Sequence, residues 1–351
     1  MEVGIHKDRY GKIDPFCLKY EVILSYNSIK SSWIDINDNT FWNDIKRIKI
    51  FIYRWIQWDD HHQIAKDIMP IIENNFDIKC FPDLATSWHY DDKVKQFFLL
   101  SAFKYPFIKC WIFYDRRKAL EWVEKTSYPK VFKLKGGASS QNVLLVNDKN
   151  VAKRIIDKMF GEGINPNNLY ISGSTKQKDF KLINFIKHQG ANLLRKYRGE
   201  DAEPYWQINK NYILFQEFLP NNKFDTRITV IGNRAFGFRR FVRKNDFRAS
   251  GSGLIDNNPK LIDLRCVELA LKISKEMKFQ SMAYDFLYDE NNNPMICEIS
   301  YTYVDKAVYN CPGYWDDSLN FHEGHYWPQY LHLVDLLGDE SLRQPQFIDV
   351  D

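Results

Sequence analysis

The chain has 351 residues, 44% hydrophobic and 27% charged, which supports two or three packed units and excludes a largely disordered chain. Its 49 basic and 45 acidic residues leave a formal charge of +4 without any block of one sign, so no nucleic-acid-binding or membrane-attracted tail is expected. Six scattered cysteines without a C-x-x-C spacing fit reduced thiols and a cytoplasmic setting rather than a disulfide framework or zinc site. Met1 to Tyr10 holds no apolar leader, and the most apolar window, Ile45 to Ile56, is broken by Lys46, Arg47, Lys49 and Arg54, so neither secretion nor a membrane span is expected.

In chain order, a β-rich run (Tyr20 to Ser25) and helical runs (Phe41 to Gln57, His61 to Asn74) predict a leading α/β domain over 1–107. Within Asp91 to Lys104, Val94, Phe97, Phe98 and Ser101 recur at helical spacing, and Asp91 and Asp92 suit a helix start. A strand (Lys109 to Tyr114), a helix (Arg116 to Lys125), a strand (Lys130 to Leu134), a Gly/Ser loop, a strand (Asn142 to Val146) and a helix (Asp148 to Met159) follow. They predict an α+β unit over 108–215, within which the polar stretch Asn165 to Gln207, with a basic helical patch from Lys181 to Arg198, reads as an insertion or a lid. An apolar strand (Tyr212 to Phe218) leads to a hairpin (Thr226 to Val242) turning at Gly232 and Asn233, then to a helix (Leu261 to Met277) and a second hairpin. These make a unit over 216–340, with 341–351 as a tail.

The second hairpin carries the strongest chemical signal. Tyr284 to Tyr288 and Met295 to Ile299 are strand-like, and Asp289 to Pro294 is turn-rich. Centring the turn on Asn291 and Asn292 sets Asp285 opposite Glu298, with Ser300 on the same side. Opposed like charges destabilise a sheet, so the pair needs a metal, a proton or a basic partner, unless both acids face water. Hard oxygen ligands favour Mg²⁺ carrying nucleotide phosphates. Lys133, at a strand end, precedes Lys135, Gly136, Gly137, Ala138, Ser139 and Ser140, a run whose backbone N–H groups and hydroxyls suit a phosphate, although it also reads as a flexible connection. It matches neither G-x-x-x-x-G-K-[ST] nor G-x-G-x-x-G. Asp225, Arg227, Arg240, Arg243 and Arg248 form a third cluster, in which Asp225 and Arg240 face each other across the first hairpin as a cross-strand salt bridge. Fixed guanidinium groups there would stabilise charge developing on a transferring phosphoryl or acyl group. His322, His325 and His332 lack a metal-ligand pattern and read as packed or surface residues.

In order, the Lys93 helix start, Lys133 with its Gly/Ser loop, Gln216-Glu217-Phe218-Leu219, Asp225-x-Arg227, Asp246 to Ser250 with Arg248, Asp285 and Glu298-x-Ser300 resemble an ATP-grasp enzyme over roughly residues 85 to 335. The resemblance implies an α+β fold: a leading α/β domain and two α+β lobes enclosing ATP. It implies that Lys93 and Lys133 contact phosphate or adenine and that Gly136 to Ser140, with Gly137, Ser139 and Ser140, cover the phosphates. Backbone groups of Gln216, Glu217, Phe218 and Leu219 would read adenine, and Asp225 would hold ribose. Arg227 and Arg248 would act on the carboxylate and γ-phosphate, and Asp285, Glu298 and Ser300 would hold Mg²⁺. Many relatives carry Asn where this chain has Ser300, which leaves one or two metals open.

The reaction so implied joins a small-molecule carboxylate to an amine through an acylphosphate, with ATP and Mg²⁺. The stretch Tyr301 to Trp327 resembles a subset of the family associated with bacterial surface polysaccharides, which implies a sugar acid or amino sugar as substrate. A small-molecule kinase of the same fold, or a silent nucleotide-binding protein, are the alternatives. The acid, the amine and the oligomeric state are not encoded in any motif.

Overall fold

The computed structural model describes residues 2–8, 10–136, 142–166, 206–243 and 252–346. They fall into two compact units, one from 1–56, 61–90 and 221–351 and the other from 57–60 and 91–220. Among the described residues no helix is long and apolar enough to cross a membrane.

The first unit opens with a parallel sheet of β1 (Glu2–His6), β2 (Lys30–Ile34), β3 (Ile50–Ile52) and β4 (Lys79–Phe81), ordered β2-β1-β3-β4. Its connections carry α1 (Pro15–Tyr26), α2 (Phe41–Ile45) and α3 (Asp59–Asn75), and α4 (Leu84–Ser87) follows β4. Two sequence expectations fail here. Tyr20 to Ser25 is helical, not β: Asp14 accepts the Phe16 N–H at 2.7 Å, Pro15 fills the first turn where no N–H is required, and Cys17, Tyr20, Ile23 and Leu24 bury one helical face. The helix expected over Phe41 to Gln57 stops at Ile45, because Ile50, Phe51 and Ile52 are fully buried as a central parallel strand. A strand covered on both faces reads as a continuous apolar run, which periodicity does not separate from a helix.

The second unit holds α5 (Lys93–Ala102), β5 (Cys110–Phe113), α6 (Arg116–Lys125), β6 (Lys130–Lys133), β7 (Val143–Val146), α7 (Lys149–Phe160) and β8 (Ile213–Glu217), with an antiparallel sheet ordered β5-β8-β6-β7. Asp92, Asp115 and Asp148 cap α5, α6 and α7 by accepting first-turn N–H groups, each contributing about 1 kcal/mol.

The remainder of the first unit is a larger antiparallel sheet. It contains β9 (Phe224–Ile231), β10 (Arg234–Phe241), β11 (Ile255–Asp256), then, after α8 (Leu264–Met277), β12 (Ser281–Tyr288) and β13 (Pro294–Ser300). After α9 (Asp305–Tyr309) come β14 (Gly313–Trp315), β15 (Phe321–Glu323) and α10 (Pro328–Leu337). The order is β13-β12-β9-β10-β14-β15, with β11 on β10. Gly232 turns the first hairpin at φ 58°, as expected from its Gly-Asn pair. One face packs on α8, whose Ser274 hydroxyl meets the Tyr284 hydroxyl at 2.7 Å. The other face packs Ile231, Phe236 and Ala283 against Val308 and Leu331 at one end; at the other end it is charged.

Candidate functional site

Asp285 pairs with Glu298 in register, as expected, but the route to that register is not regular. From the turn, Tyr288, Leu287 and Phe286 pair with Pro294, Met295 and Ile296; the register then shifts, and Asp285, Tyr284 and Ala283 pair with Glu298, Ile299 and Ser300. Cys297 is therefore the extra residue of a β-bulge. Without it, Glu298 would share a face with Ile296 and point at the α8 core; with it, Ile296 and Ile299 are both buried and Glu298 joins Asp285 on the opposite face. Asp289 builds the turn by accepting the Asn291 and Asn293 N–H groups at 2.9 and 2.7 Å.

On its other side Asp285 faces Arg227 of β9. Arg227 Nε and Nη2 donate to the two Asp285 oxygens at 2.6 and 2.7 Å. Arg240 donates bidentately to Asp225 at 2.7 and 2.6 Å, and its Nη2 also reaches Asp285 at 2.8 Å. All four side chains are at most 17% exposed, so the two aspartates and two guanidinium groups form a charge-balanced buried quartet, with Glu298 as a further acid at its edge. Burial alone would raise the Asp285 carboxyl, but Arg227 and Arg240 outweigh it and hold it below the ordinary carboxylate range. At Asp225, burial and the like charge of Asp285 outweigh Arg240, so that carboxyl lies above its usual value. The Arg240 guanidinium is held charged more firmly than usual: burial opposes this, and the two aspartates exceed it.

The oxygen set fits Mg²⁺ chemistry with one constraint. Asp285 already accepts three N–H bonds, leaving about one of its roughly four acceptor positions. Glu298 lies half-buried beside it. The Ser300 hydroxyl donates to the Thr302 carbonyl at 2.8 Å and accepts the Thr302 N–H at 3.2 Å, which leaves it one lone pair. Two carboxylates and a hydroxyl are hard donors suited to a small divalent cation whose remaining ligands come from phosphates and water.

In the second unit, Lys133 ends β6, and Lys93 begins α5 with its N–H donated to the Lys135 carbonyl at 2.9 Å. Both lysines are buried, at 6% exposed. The loop start is tied by Asn142 Nδ2 to the Gly136 carbonyl at 3.0 Å and by the Lys135 N–H to the Tyr212 hydroxyl at 2.8 Å. A Cβ on Gly136 would come within 2.9 Å of an Asp91 oxygen, so only glycine allows that approach without a shift. Gln216 and Glu217 end β8 next to β6, and the Glu217 N–H is committed to the Lys109 carbonyl at 2.8 Å. Glu217 also pairs with the buried Lys130 at 2.8 Å, an ion pair that no motif in the sequence signals. Phe218 and Leu219 follow directly. Gly137, Ser139, Ser140, Arg248 and the Lys181 to Arg198 patch lie outside the described residues.

The first unit thus gathers Asp225, Arg227, Asp285, Glu298 and Ser300, and the second gathers Lys93, Lys133 and the Gln216 to Leu219 strand end. Arg240's contact with Asp285 was not legible, since it depends on β9 lying between β10 and β12. The expected His322, His325 and His332 roles are packing ones: His332 lies between the Tyr20 and Tyr303 hydroxyls at 2.7 and 2.9 Å, and His322 meets Asp316 at 2.8 Å. All six cysteines are free thiols.

Residues 188–304 match the family model described as a RimK-like ATP-grasp domain. No curated protein matches. Among solved structures, the chain is similar to the D-cycloserine synthetase DcsG, with TM-score 0.54, 13% identity and coverage of 98% of this chain and all of that one. It is similar to the macrocyclase MdnC bound with its precursor peptide MdnA, from Microcystis aeruginosa, with TM-score 0.55, 11% identity and coverage of 97% of this chain and all of that one. It is also similar to N5-carboxyaminoimidazole synthetase from Staphylococcus aureus complexed with ADP, with TM-score 0.55, 11% identity and coverage of 97% of this chain and 78% of that one. These identities speak to fold alone: the chain has an ATP-grasp fold, and its residues 188–304 match a RimK-like ATP-grasp domain.

Proposed function

We propose that the chain is an ATP-dependent carboxylate–amine ligase. The observation that carries this reading is the row Glu298–Asp285–Arg227, with Ser300 beside it, on the open face of an ATP-grasp sheet. In the proposed reaction a carboxylate oxygen of the acid attacks the γ-phosphorus of ATP and ADP leaves, giving an acylphosphate. The amine nitrogen then attacks the acyl carbon, phosphate departs, and the nitrogen loses a proton. Lys93 and Lys133 are assigned to the nucleotide, Gly137, Ser139 and Ser140 to its phosphates, the backbone of Gln216 to Leu219 to adenine, and Asp225 to ribose.

Arg227 and Arg248 are assigned to the reacting carboxylate and γ-phosphate, where fixed guanidinium groups stabilise developing negative charge. Glu298, Asp285 and Ser300 would hold Mg²⁺, which when bound neutralises phosphate charge. Because Arg227 and Arg240 already occupy most of Asp285, Glu298 carries the larger share of that binding. DcsG and MdnC by name, and the RimK-like match, support amide-forming chemistry as the reaction class. The aromatic stretch Tyr301 to Trp327 directs the choice of acids to sugar acids, with amino sugars or amino acids as acceptors. ADP release is expected only when a suitable acid is present, and hydroxylamine should intercept the intermediate as a hydroxamate. ADP release with no hydroxamate would favour phosphorylation of a hydroxyl instead, and ATP binding with no turnover across such pairs would remove the ligase reading.

A further inference from the structure

β9 lies between β10 and β12, and four charged side chains from these three strands meet on one face. In register Arg240 stands opposite Asp225 and Arg227 opposite Asp285, so each guanidinium has an acid directly across one strand gap. Arg240 reaches further. Its Nε and Nη2 hold the two Asp225 oxygens at 2.7 and 2.6 Å, and the same Nη2 lies 2.8 Å from an Asp285 oxygen. That second contact passes over β9 to a strand two spacings away, about 10 Å, a span that suits a long forked side chain.

The oxygen that Arg240 touches is Asp285 Oδ2, which also accepts Arg227 Nη2 at 2.7 Å, while Oδ1 accepts Arg227 Nε at 2.6 Å. The chain's own donors thus fill three of about four acceptor positions on this carboxylate. A divalent cation meets it at the position left, or by displacing a donor. The two arginines differ in what displacement leaves behind. Among the described residues both Arg227 hydrogen bonds go to Asp285, whereas Arg240, once released from Asp285, keeps its bidentate pair with Asp225. Arg240 is therefore the donor that leaves at the smaller cost, because its charge stays paired. Asp225, Asp285 and Glu298 against Arg227 and Arg240 leave one formal negative charge, a weak attraction for a bare cation. Nucleotide phosphates add the negative charge that is missing.

We propose that Arg240 is a positioning residue and the resident counter-ion of Asp285: it bridges the two aspartates and keeps Asp285 closed to a bare divalent cation, so that cation and nucleotide phosphates are taken up together. On cation binding Arg240 gives up Asp285 and remains on Asp225. That Asp285 and Glu298 hold the cation rests on the ligase reading; the bridge itself does not.

Mn²⁺ is the probe, its binding to the full chain followed by loss of the free-ion paramagnetic resonance signal, without nucleotide and with the β,γ-methylene analogue of ATP. The double variant Asp225→Asn with Arg240→Met removes one charge of each sign, so the formal charge of the cluster is unchanged while the bridge is gone. Without nucleotide it should bind Mn²⁺ about tenfold more tightly than the wild type, because no charge-assisted hydrogen bond has to be broken. Arg240→Lys keeps a charge for Asp225 but replaces the fork by a point charge, and should tighten binding about threefold; it also covers a double variant that fails to fold. Asp225→Asn alone leaves Arg240 to Asp285 and should weaken binding about tenfold. A purely structural cluster would weaken metal binding in every variant, in step with the unfolding midpoint. The gap between wild type and Arg240→Lys should narrow when the analogue is present, and a constant gap overturns the coupling to nucleotide. Mn²⁺ affinity that is unchanged or weaker in both the double variant and Arg240→Lys overturns the inference, while wild-type binding that Glu298→Gln abolishes leaves the metal site standing. No Mn²⁺ uptake by any of these chains, with or without the analogue, removes the metal reading itself.

Discussion

Asp285 and Glu298 lie side by side on one sheet face, yet their replacement should have different consequences. Asp285→Asn removes the charge that Arg227 holds bidentately and that Arg240 also touches. Breaking a buried ion pair from one side costs about 3–5 kcal/mol. Here Asp225 still satisfies Arg240, and Arg227, at 17% side-chain exposure, is partly reached by water. The expected loss is therefore lower, about 2–3 kcal/mol, which in a chain of this size lowers the thermal midpoint by roughly 5 °C. Glu298→Gln, half-buried and isosteric, should stay within about 1 kcal/mol of wild type. Both changes should reduce ADP formation about 100-fold or more if both acids serve the nucleotide's metal. Thermal unfolding by circular dichroism and a coupled ADP assay on the same preparations separate the two effects. A wild-type midpoint for Asp285→Asn, or an equal fall for Glu298→Gln, would refute the assignment of Asp285 to the buried quartet.

Other consequences follow from the same contacts. His6 and His332 are buried with pKa values lowered to about 3, first by burial. Both stay neutral in the folded chain while the unfolded chain protonates below about 6.5, so their stability contribution is intact above that pH and falls as pH drops toward 3, by about 3 kcal/mol between pH 6.5 and 5; urea unfolding should show this, and a flat profile over that window would count against it. A double-mutant cycle with Asp225→Asn and Arg240→Met should give a coupling energy of about 1–3 kcal/mol, because one bidentate pair joins them; additive effects would deny the pair. Burial raises the Cys80, Cys266 and Cys311 thiols to about 12, whereas Cys297 is only half-buried, so iodoacetamide at mildly alkaline pH should label Cys297 first, as peptide mapping would show.

What the sequence disclosed depended on how local the physics was. Helix α5 was legible with its cap because Asp92 acts on N–H groups two and three residues away, and α7 was legible as a helix although its Asp148 cap was not singled out. The Asp285 and Glu298 pairing was reached from a turn centred on Asn291 and Asn292, whereas the strand pairs nearest the turn centre it on Asn291 and the bulge at Cys297 restores the same partners. Arg227 against Asp285 was not, since the two are 58 residues apart and meet only when β9 lies beside β12. Tyr20 to Ser25 misled because its β-branched and aromatic residues favour a strand, while burial against the sheet selected the helix.

The bulge at Cys297 sets a rule for comparing this chain with others. Counted from the turn, Glu298 stands one position out of frame with any relative whose second strand is regular, so residue spacing alone would align the wrong side chain with the acid. Deleting Cys297 should be as damaging as deleting the acid itself, because the carboxylate would survive in composition while changing faces. Conversely, in a homologue lacking an acid opposite Asp285, the place to search is one residue along the strand. A single unpaired residue thus acts as a phase shift, and the function assigned to the hairpin is inherited through it.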